Sequence, residues 1–183
     1  MATFHIESYF SFRDFNPKYG HFKQGEDAEC VGAHVNRCSF SLILAISKEF
    51  VHWIVKDTTN EGVKCRDFVV FLNELINFNS FDEKPCFVMD NARIHHTDAV
   101  EHFMEDNELS YTYLPGHYQL PDFNPIEPVF GWIKGRISGK TENNMYQVIE
   151  EAIASISNET IDNFYFIYLR QLESQKVLIK FVC

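Results

Sequence analysis

The sequence lacks several features that would quickly assign a chain to a class. No unbroken apolar run reaches membrane-spanning length, and the first residues have no basic segment followed by an apolar one. The cysteines form no Cys-x-x-Cys pair and no short disulfide framework. They are Cys30, Cys38, Cys65, Cys86 and Cys183. We therefore expect no membrane association, and reduced thiols in an intracellular protein.

Basic residues are also scarce, with 16 Lys and Arg against 26 Asp and Glu and a net charge of −10. DNA repels such a chain unless its charges are segregated. Between residues 128 and 140 the charged side chains are all basic, namely Lys134, Arg136 and Lys140. This pattern favours a local cationic edge, and a solvated helix face is the alternative interpretation.

The composition is that of a folded protein, with 45% hydrophobic and 15% aromatic residues in a chain of 183. This length predicts a single domain spanning residues 1–183. Loosely alternating or apolar runs predict four β-segments, of which the last three are joined by short polar gaps as in an antiparallel meander. They are Thr3–Phe12, Cys30–Val35, Ser39–Ile46 and Phe50–Val55.

The hydrophobic period changes in the middle of the chain. A helix with one buried stripe is predicted around Phe68–Ile76. The apolar run Cys86–Met89 predicts a strand covered on both faces, and Leu109–Leu114 predicts another. Between them, Thr97 or Asp98 can cap a helix.

Helices are predicted to finish the chain. The first has Asn124 as its N-cap and Pro125 at its first position, the second begins at about Thr141, and a third spans Ile161–Gln175. A strand meander followed by alternating helices and strands predicts an α/β fold. We expect an RNase H-like mixed five-stranded sheet flanked by helices.

Two carboxylates occupy positions that suit a catalytic or metal-binding role. Asp90 follows an apolar strand, where α/β folds hold ligands, although it could equally cap the next turn. Glu127 is third in its helix, where a capping box would use it. It is in line with Lys134 on the face away from the apolar stripe, which also suits a metal and phosphate site.

Together the motifs Asp90–His95 (Asp-Asn-Ala-Arg-Ile-His) and Pro121–Glu127 (Pro-Asp-Phe-Asn-Pro-Ile-Glu) resemble those of a known family. The family is the DDE catalytic domain of mariner-like transposases and their bacterial insertion-sequence relatives. The likeness extends over nearly the whole chain, and 36 residues (91 to 126) separate the two acids, close to the family spacing.

The resemblance implies that Asp90 is the second catalytic acid and Glu127 the third. In the family such acids hold two Mg²⁺ or Mn²⁺ ions for cleavage and transfer of DNA strands, because hard cations prefer oxygen ligands. It also implies double-stranded transposon ends as partner, a homodimer, and a nuclear location in a eukaryotic host. Candidate DNA contacts are Asn91, His95, Lys134, Arg136 and Lys140.

One departure concerns the first strand, where the family carries its first acid. The matching segment is Phe4–Ser8, and Ile6 stands at the position of the catalytic Asp. Its neighbour Glu7 should point to the opposite side of the strand, and only a one-residue bulge would let it substitute. We therefore expect impaired metal binding and strand cleavage. The family's basic helix-turn-helix modules are also missing from the given sequence, which fits its acidic balance.

Two other functions compete with an active transposase core. One is a catalytically inactive, transposon-derived remnant that acts at most as a DNA- or protein-binding module. The other is an unrelated hydrolase with a zinc site. Zinc is disfavoured because the candidate ligands form neither a His-Glu-x-x-His motif nor a cysteine knuckle. Those candidates are Cys86, His95, His96 and His102.

Overall fold

A computed structural model describes residues 2–11, 39–48, 50–78, 85–114, 124–137 and 144–174. The strands are β1 (Ala2–Ser11), β2 (Ser39–Ile46), β3 (Val51–Asp57), β4 (Cys86–Met89) and β5 (Ser110–Tyr113). The helices are α1 (Cys65–Phe78), α2 (Asp98–Asp106), α3 (Ile126–Ile137), α4 (Met145–Ala154) and α5 (Asn158–Ser174), and a 3-10 turn covers Arg93–His95. The predicted strand Cys30–Val35 and the predicted helix start at Thr141 lie outside the described residues.

The five strands pair in the order β3-β2-β1-β4-β5. β1 pairs antiparallel with β2, and β2 pairs antiparallel with β3, the second being the pairing predicted for Ser39–Ile46 and Phe50–Val55. On its other side β1 pairs parallel with β4, which pairs parallel with β5. The α/β class is confirmed, and the sheet is mixed with β1 at its centre.

The sheet separates two hydrophobic cores. Successive residues of β2 enter different cores, because side chains alternate across a strand. One core combines β2 with α3, α4 and α5, and its strand members include Leu42, Leu44, Ile46 and Val88. We call this the aliphatic face. The other core combines Ile43 and Ala45 of β2 with α1 and α2, and it contains Phe68, Phe71 and Phe87. We call this the aromatic face.

Asparagine side chains begin two of the helices. Asn124 Oδ1 accepts a hydrogen bond from Ile126 N–H at 3.2 Å, which confirms the predicted cap of α3. Asn144 Oδ1 likewise accepts from Gln147 N–H at 3.3 Å at the start of α4. At α2 the N-cap residue is Thr97, yet its hydroxyl donates to the Ile94 carbonyl instead of capping.

The expectation of five reduced thiols is wrong for Cys86, which is disulfide-bonded. Spacing along the sequence misses such a bond because it depends on the distance between cysteines in the fold. Cys65 is a free thiol. Among the described residues, every helix is too short or too polar to cross a membrane.

Candidate active site

Asp90 lies where the buried strand β4 ends. All four residues of β4 are buried, whereas the Asp90 side chain is 30% exposed. Its Oδ1 accepts a hydrogen bond from Ala92 N–H at 3.1 Å and so closes the following turn. The turn-capping role considered for Asp90 is therefore present, and it occupies one carboxylate oxygen.

His95 contacts Asp90 from the protein interior. Its Nδ1 is 2.8 Å from Asp90 Oδ1 and 3.3 Å from the Asp90 backbone oxygen. The side chain is fully buried, and its ring centroid lies 4.3 Å from that of Phe68 on the aromatic face. A fully buried ring has no surface to offer a duplex, so the predicted DNA contact by His95 does not fit this structure.

A second layer of contacts fixes the turn after Asp90. The Tyr113 hydroxyl, at the end of β5, donates to the His95 carbonyl oxygen at 2.8 Å. Its ring packs on His96 with centroids 3.9 Å apart, and His96 Nε2 is 2.8 Å from Asn91 Oδ1. Burial raises the pKa of Tyr113 to about 12, so its hydroxyl stays a hydrogen-bond donor. Sequence reasoning missed Tyr113 and Phe68, because only the fold brings them to this turn.

Glu127 approaches from the opposite, aliphatic face of the sheet, in the first turn of α3. Burial raises the pKa of its half-buried carboxyl, the Asp90 carboxylate raises it further, and Lys134 opposes both. The Asp90 carboxylate is therefore one of the charges that act on Glu127. Among the described residues no donor reaches the Glu127 carboxylate, so the capping-box alternative is not realised there.

The strand register identifies the residue of β1 nearest to Asp90. The parallel ladder between β1 and β4 ends with the pair His5 and Met89, so Ile6 and Asp90 are the next residues on neighbouring strands. The pairing with β2 runs without interruption from Phe4 to Ser11. That stretch of β1 therefore has no bulge of the kind that would let Glu7 take the place of position 6.

The exposed side of α3 carries two of the candidate cations. Lys134 and Arg136 are both exposed, and Lys140 lies outside the described residues. The Arg136 guanidinium is stacked on Trp132, 3.4 Å from the ring centroid. Asn91 is also exposed, beside Asp90. Of these groups, Lys134 is close enough to Glu127 to oppose the rise in its pKa, and Asn91 follows Asp90 directly in the chain.

The donor set suits a hard divalent cation better than zinc. Asp90 and Glu127 offer carboxylate oxygens, the ligands that Mg²⁺ and Mn²⁺ prefer. Within the described part of the chain, no three His, Cys, Asp or Glu side chains are grouped to hold a metal ion. Cys86 cannot supply a thiolate because it is disulfide-bonded, and His102 is exposed with its Nδ1 2.6 Å from the Asp98 carbonyl oxygen.

Comparison with known families decides the relationship. The sequence model of a family described as DDE superfamily endonuclease matches residues 3–149. The chain belongs to the DDE superfamily endonucleases. The match includes both acids and the position of Ile6. No curated protein matches the sequence.

Solved structures show a related fold for this DDE domain. The Mos1 strand transfer complex has 16% identity and a TM-score of 0.71, covering 93% of this chain and 52% of the Mos1 chain. The Mos1 mariner paired end complex with Mn has 16% identity, a TM-score of 0.71, and coverages of 93% and 53%. The catalytic domain of Mos1 mariner transposase has 16% identity and a TM-score of 0.61, with coverages of 94% and 81%. The DDE domain thus spans about half the length of the longer Mos1 chains, and at this identity the likeness concerns the fold.

Proposed function

We propose that this chain is the RNase H-like catalytic core of a mariner-like transposase whose first acid has been replaced by Ile6. The observation that carries the proposal is the family match over residues 3–149 together with the mixed sheet, in which β4 ends at Asp90 next to Ile6 of β1. Asp90 and Glu127 are its second and third acids. Glu7 is left out, because β1 is paired continuously through that position.

The two acids would hold Mg²⁺ or Mn²⁺ between β4 and α3. When bound, the metal supplies activation of a water and stabilisation of the leaving oxygen in a phosphoryl displacement. Asp90 offers an oriented oxygen, and Glu127 a second carboxylate whose raised pKa reflects the same partly buried setting. Ile6 adds no oxygen at the position next to Asp90, so we expect metal binding to be weak.

Transposon-end DNA is the proposed substrate. Lys134 and Arg136 on the exposed side of α3, with Lys140 beyond it and Asn91 beside Asp90, provide the candidate contacts to phosphates. A homodimer, an intracellular location and a nuclear one in a eukaryotic host follow from the same proposal.

The competing proposal is a folded remnant without nuclease activity, which binds DNA or protein at most. The specific observation in its favour is the hydrocarbon side chain of Ile6 at the position of an acid. Losing one of three carboxylates removes both a ligand and a negative charge from the site.

The test is Mn²⁺-dependent cleavage of a duplex carrying the terminal repeats that flank the gene. We compare the unmodified chain, Ile6→Asp, Ile6→Asn and Asp90→Asn. Ile6→Asn is the matched control, since it has the shape of Asp without the charge. We expect cleavage by Ile6→Asp alone, or at a rate at least about 100-fold above the others. Cleavage by the unmodified chain that Asp90→Asn abolishes would overturn the loss of the first acid, and inactivity of Ile6→Asp would favour the remnant.

A further inference from the structure

His95 occupies a position between the aromatic core and the candidate metal site. We propose that His95 is a positioning residue, whose Nδ1–H holds one oxygen of Asp90 so that the other is available to a divalent cation. The inference rests on the proposed function, because it assigns a role to Asp90 as a metal ligand. It gives the buried histidine a function that direct contact with DNA cannot provide.

The tautomer of His95 follows from the groups that face Nδ1. Asp90 Oδ1 at 2.8 Å and the Asp90 backbone oxygen at 3.3 Å are both acceptors in the ionised residue. A nitrogen facing two acceptors forms a favourable contact only if it carries the proton. His95 therefore donates from Nδ1, in the same way that partners of metal ligands fix the orientation of those ligands.

The two oxygens of Asp90 are not equivalent. Oδ1 accepts from Ala92 N–H at 3.1 Å and also faces His95 Nδ1. Among the described residues no hydrogen bond reaches Oδ2. Two donors on one oxygen restrict rotation of the carboxylate about its χ2 torsion, so Oδ2 keeps one direction before a cation arrives.

The ring of His95 is itself held on several sides. It is fully buried, it packs against Phe68 at 4.3 Å, and its own carbonyl oxygen accepts from the Tyr113 hydroxyl at 2.8 Å. The position of Nδ1 is therefore fixed by the core and by β5. Because the aromatic face holds the His95 ring in place, the Asp90 oxygen that contacts Nδ1 is held in place as well.

The first experiment reads the tautomer in the metal-free chain. Nitrogen-15 NMR of the His95 ring is expected to show a protonated Nδ1, with an Nδ1–H proton in slow exchange with water. Asp90→Ala should accelerate that exchange, because it removes the carboxylate acceptor. A ring protonated only at Nε2, or an exchange rate unchanged in Asp90→Ala, would overturn the proposed bond whether or not the chain binds metal.

The second experiment measures Mn²⁺ binding to the full chain by electron paramagnetic resonance. His95→Leu fills the buried position with an apolar side chain and removes the donor, and it should weaken Mn²⁺ binding about 10- to 100-fold. His95→Asn places an amide N–H close to the position of Nδ1 and should restore most of the affinity. Met104→Ala, which opens a cavity in the same core at a fully buried residue, is the control for lost stability.

The outcomes separate this inference from the proposed function. Equal Mn²⁺ affinity in the unmodified chain and His95→Leu overturns the positioning role alone. An unmodified chain and an Ile6→Asp variant that both fail to bind Mn²⁺ overturn the proposed function and, with it, the role of His95. Equal losses in His95→Leu and Met104→Ala would reduce His95 to a structural residue, while rescue by His95→Asn supports positioning.

Discussion

Asp90 ends β4 and Glu127 begins α3, and the surroundings of the two acids differ. One oxygen of Asp90 is held by a backbone N–H and by the buried ring of His95. The carboxylate of Glu127 receives no hydrogen bond from a described residue, and burial raises its pKa. The end of β4 is thus organised in advance, whereas at the start of α3 no described residue donates a hydrogen bond to the Glu127 carboxylate.

This difference indicates where binding energy for a cation would come from. A carboxylate that is already oriented loses little conformational freedom on binding, so its contribution to affinity is nearly complete. A half-buried carboxylate without donors is poorly compensated, and a bound cation would relieve that cost. We therefore expect Asp90 to determine affinity and Glu127 to respond to the cation.

The largest effect should come from neutralising the acids one at a time in the Ile6→Asp background. Asp90→Asn should lower Mn²⁺ affinity about 100-fold or more, and Glu127→Gln about 10-fold, as judged from losses at metal sites. Both substitutions preserve the shape of the side chain, and the measurement is titration with Mn²⁺ followed by electron paramagnetic resonance. Equal losses at the two positions would remove the distinction between them.

The next largest effect tests the support of Glu127. Asn124→Ala removes the side-chain acceptor for Ile126 N–H and should cost about 1 kcal/mol of the free energy of unfolding. Urea denaturation followed by circular dichroism measures the change. Asn124→Asp retains a capping oxygen and is the control, for which we expect little loss. If Asn124→Ala is as stable as Asn124→Asp, the cap does not secure α3.

A smaller effect is expected from the matching change on the other side of the site. Tyr113→Phe removes the hydroxyl that donates to the His95 carbonyl oxygen, and should cost about 0.5–1.5 kcal/mol while keeping the ring contact with His96. Amide hydrogen exchange at residues 91–96 should accelerate, since this bond braces the turn. Tyr111→Phe, which removes a hydroxyl from the same strand, is the control. Unchanged exchange in Tyr113→Phe would show that the turn is held without β5.

The smallest effect concerns His52 on β3, whose ring packs near Phe71 of α1. Burial lowers the pKa of His52 from its usual value of 6.5, and Glu74 opposes this shift. The folded state then binds fewer protons than the unfolded state between the lowered pKa and 6.5. Its contribution to stability is present above pH 6.5 and is lost as the pH falls through that window.

His52→Gln should make the free energy of unfolding less dependent on pH in the range just below 6.5, because Gln does not titrate there. Urea denaturation at several pH values measures the slope. His102→Gln changes an exposed histidine and serves as the comparison. A slope that is the same in the unmodified chain and in His52→Gln would contradict the prediction.

Much of the fold could be predicted because its signals are local. The bounds of β2 and β4 are those predicted, since each is an apolar run with polar residues at its ends. α5 begins at Asn158 instead of the predicted Ile161, because the apolar stripe does not mark the first turn of a helix. The hydroxyl of Thr97 donates to the Ile94 carbonyl oxygen and accepts no N–H from the first turn of the helix, which a pattern of residue types does not reveal.

The candidate site was predictable only in part. The positions of Asp90 and Glu127 followed from strand and helix ends together with the two motifs. The contact between His95 and Asp90 depends on the 3-10 turn, whose path no periodicity predicts. The disulfide at Cys86 was missed because a scattered set of cysteines says nothing about distances in the fold.

The parallel ladder between β1 and β4 has a consequence for substitutions at position 6. Its hydrogen bonds join backbone atoms, so they keep position 6 beside Asp90 whatever side chain stands there. An exchange between a hydrocarbon and a carboxylate at this position would therefore change the chemistry of the site and leave the pairing of the sheet in place.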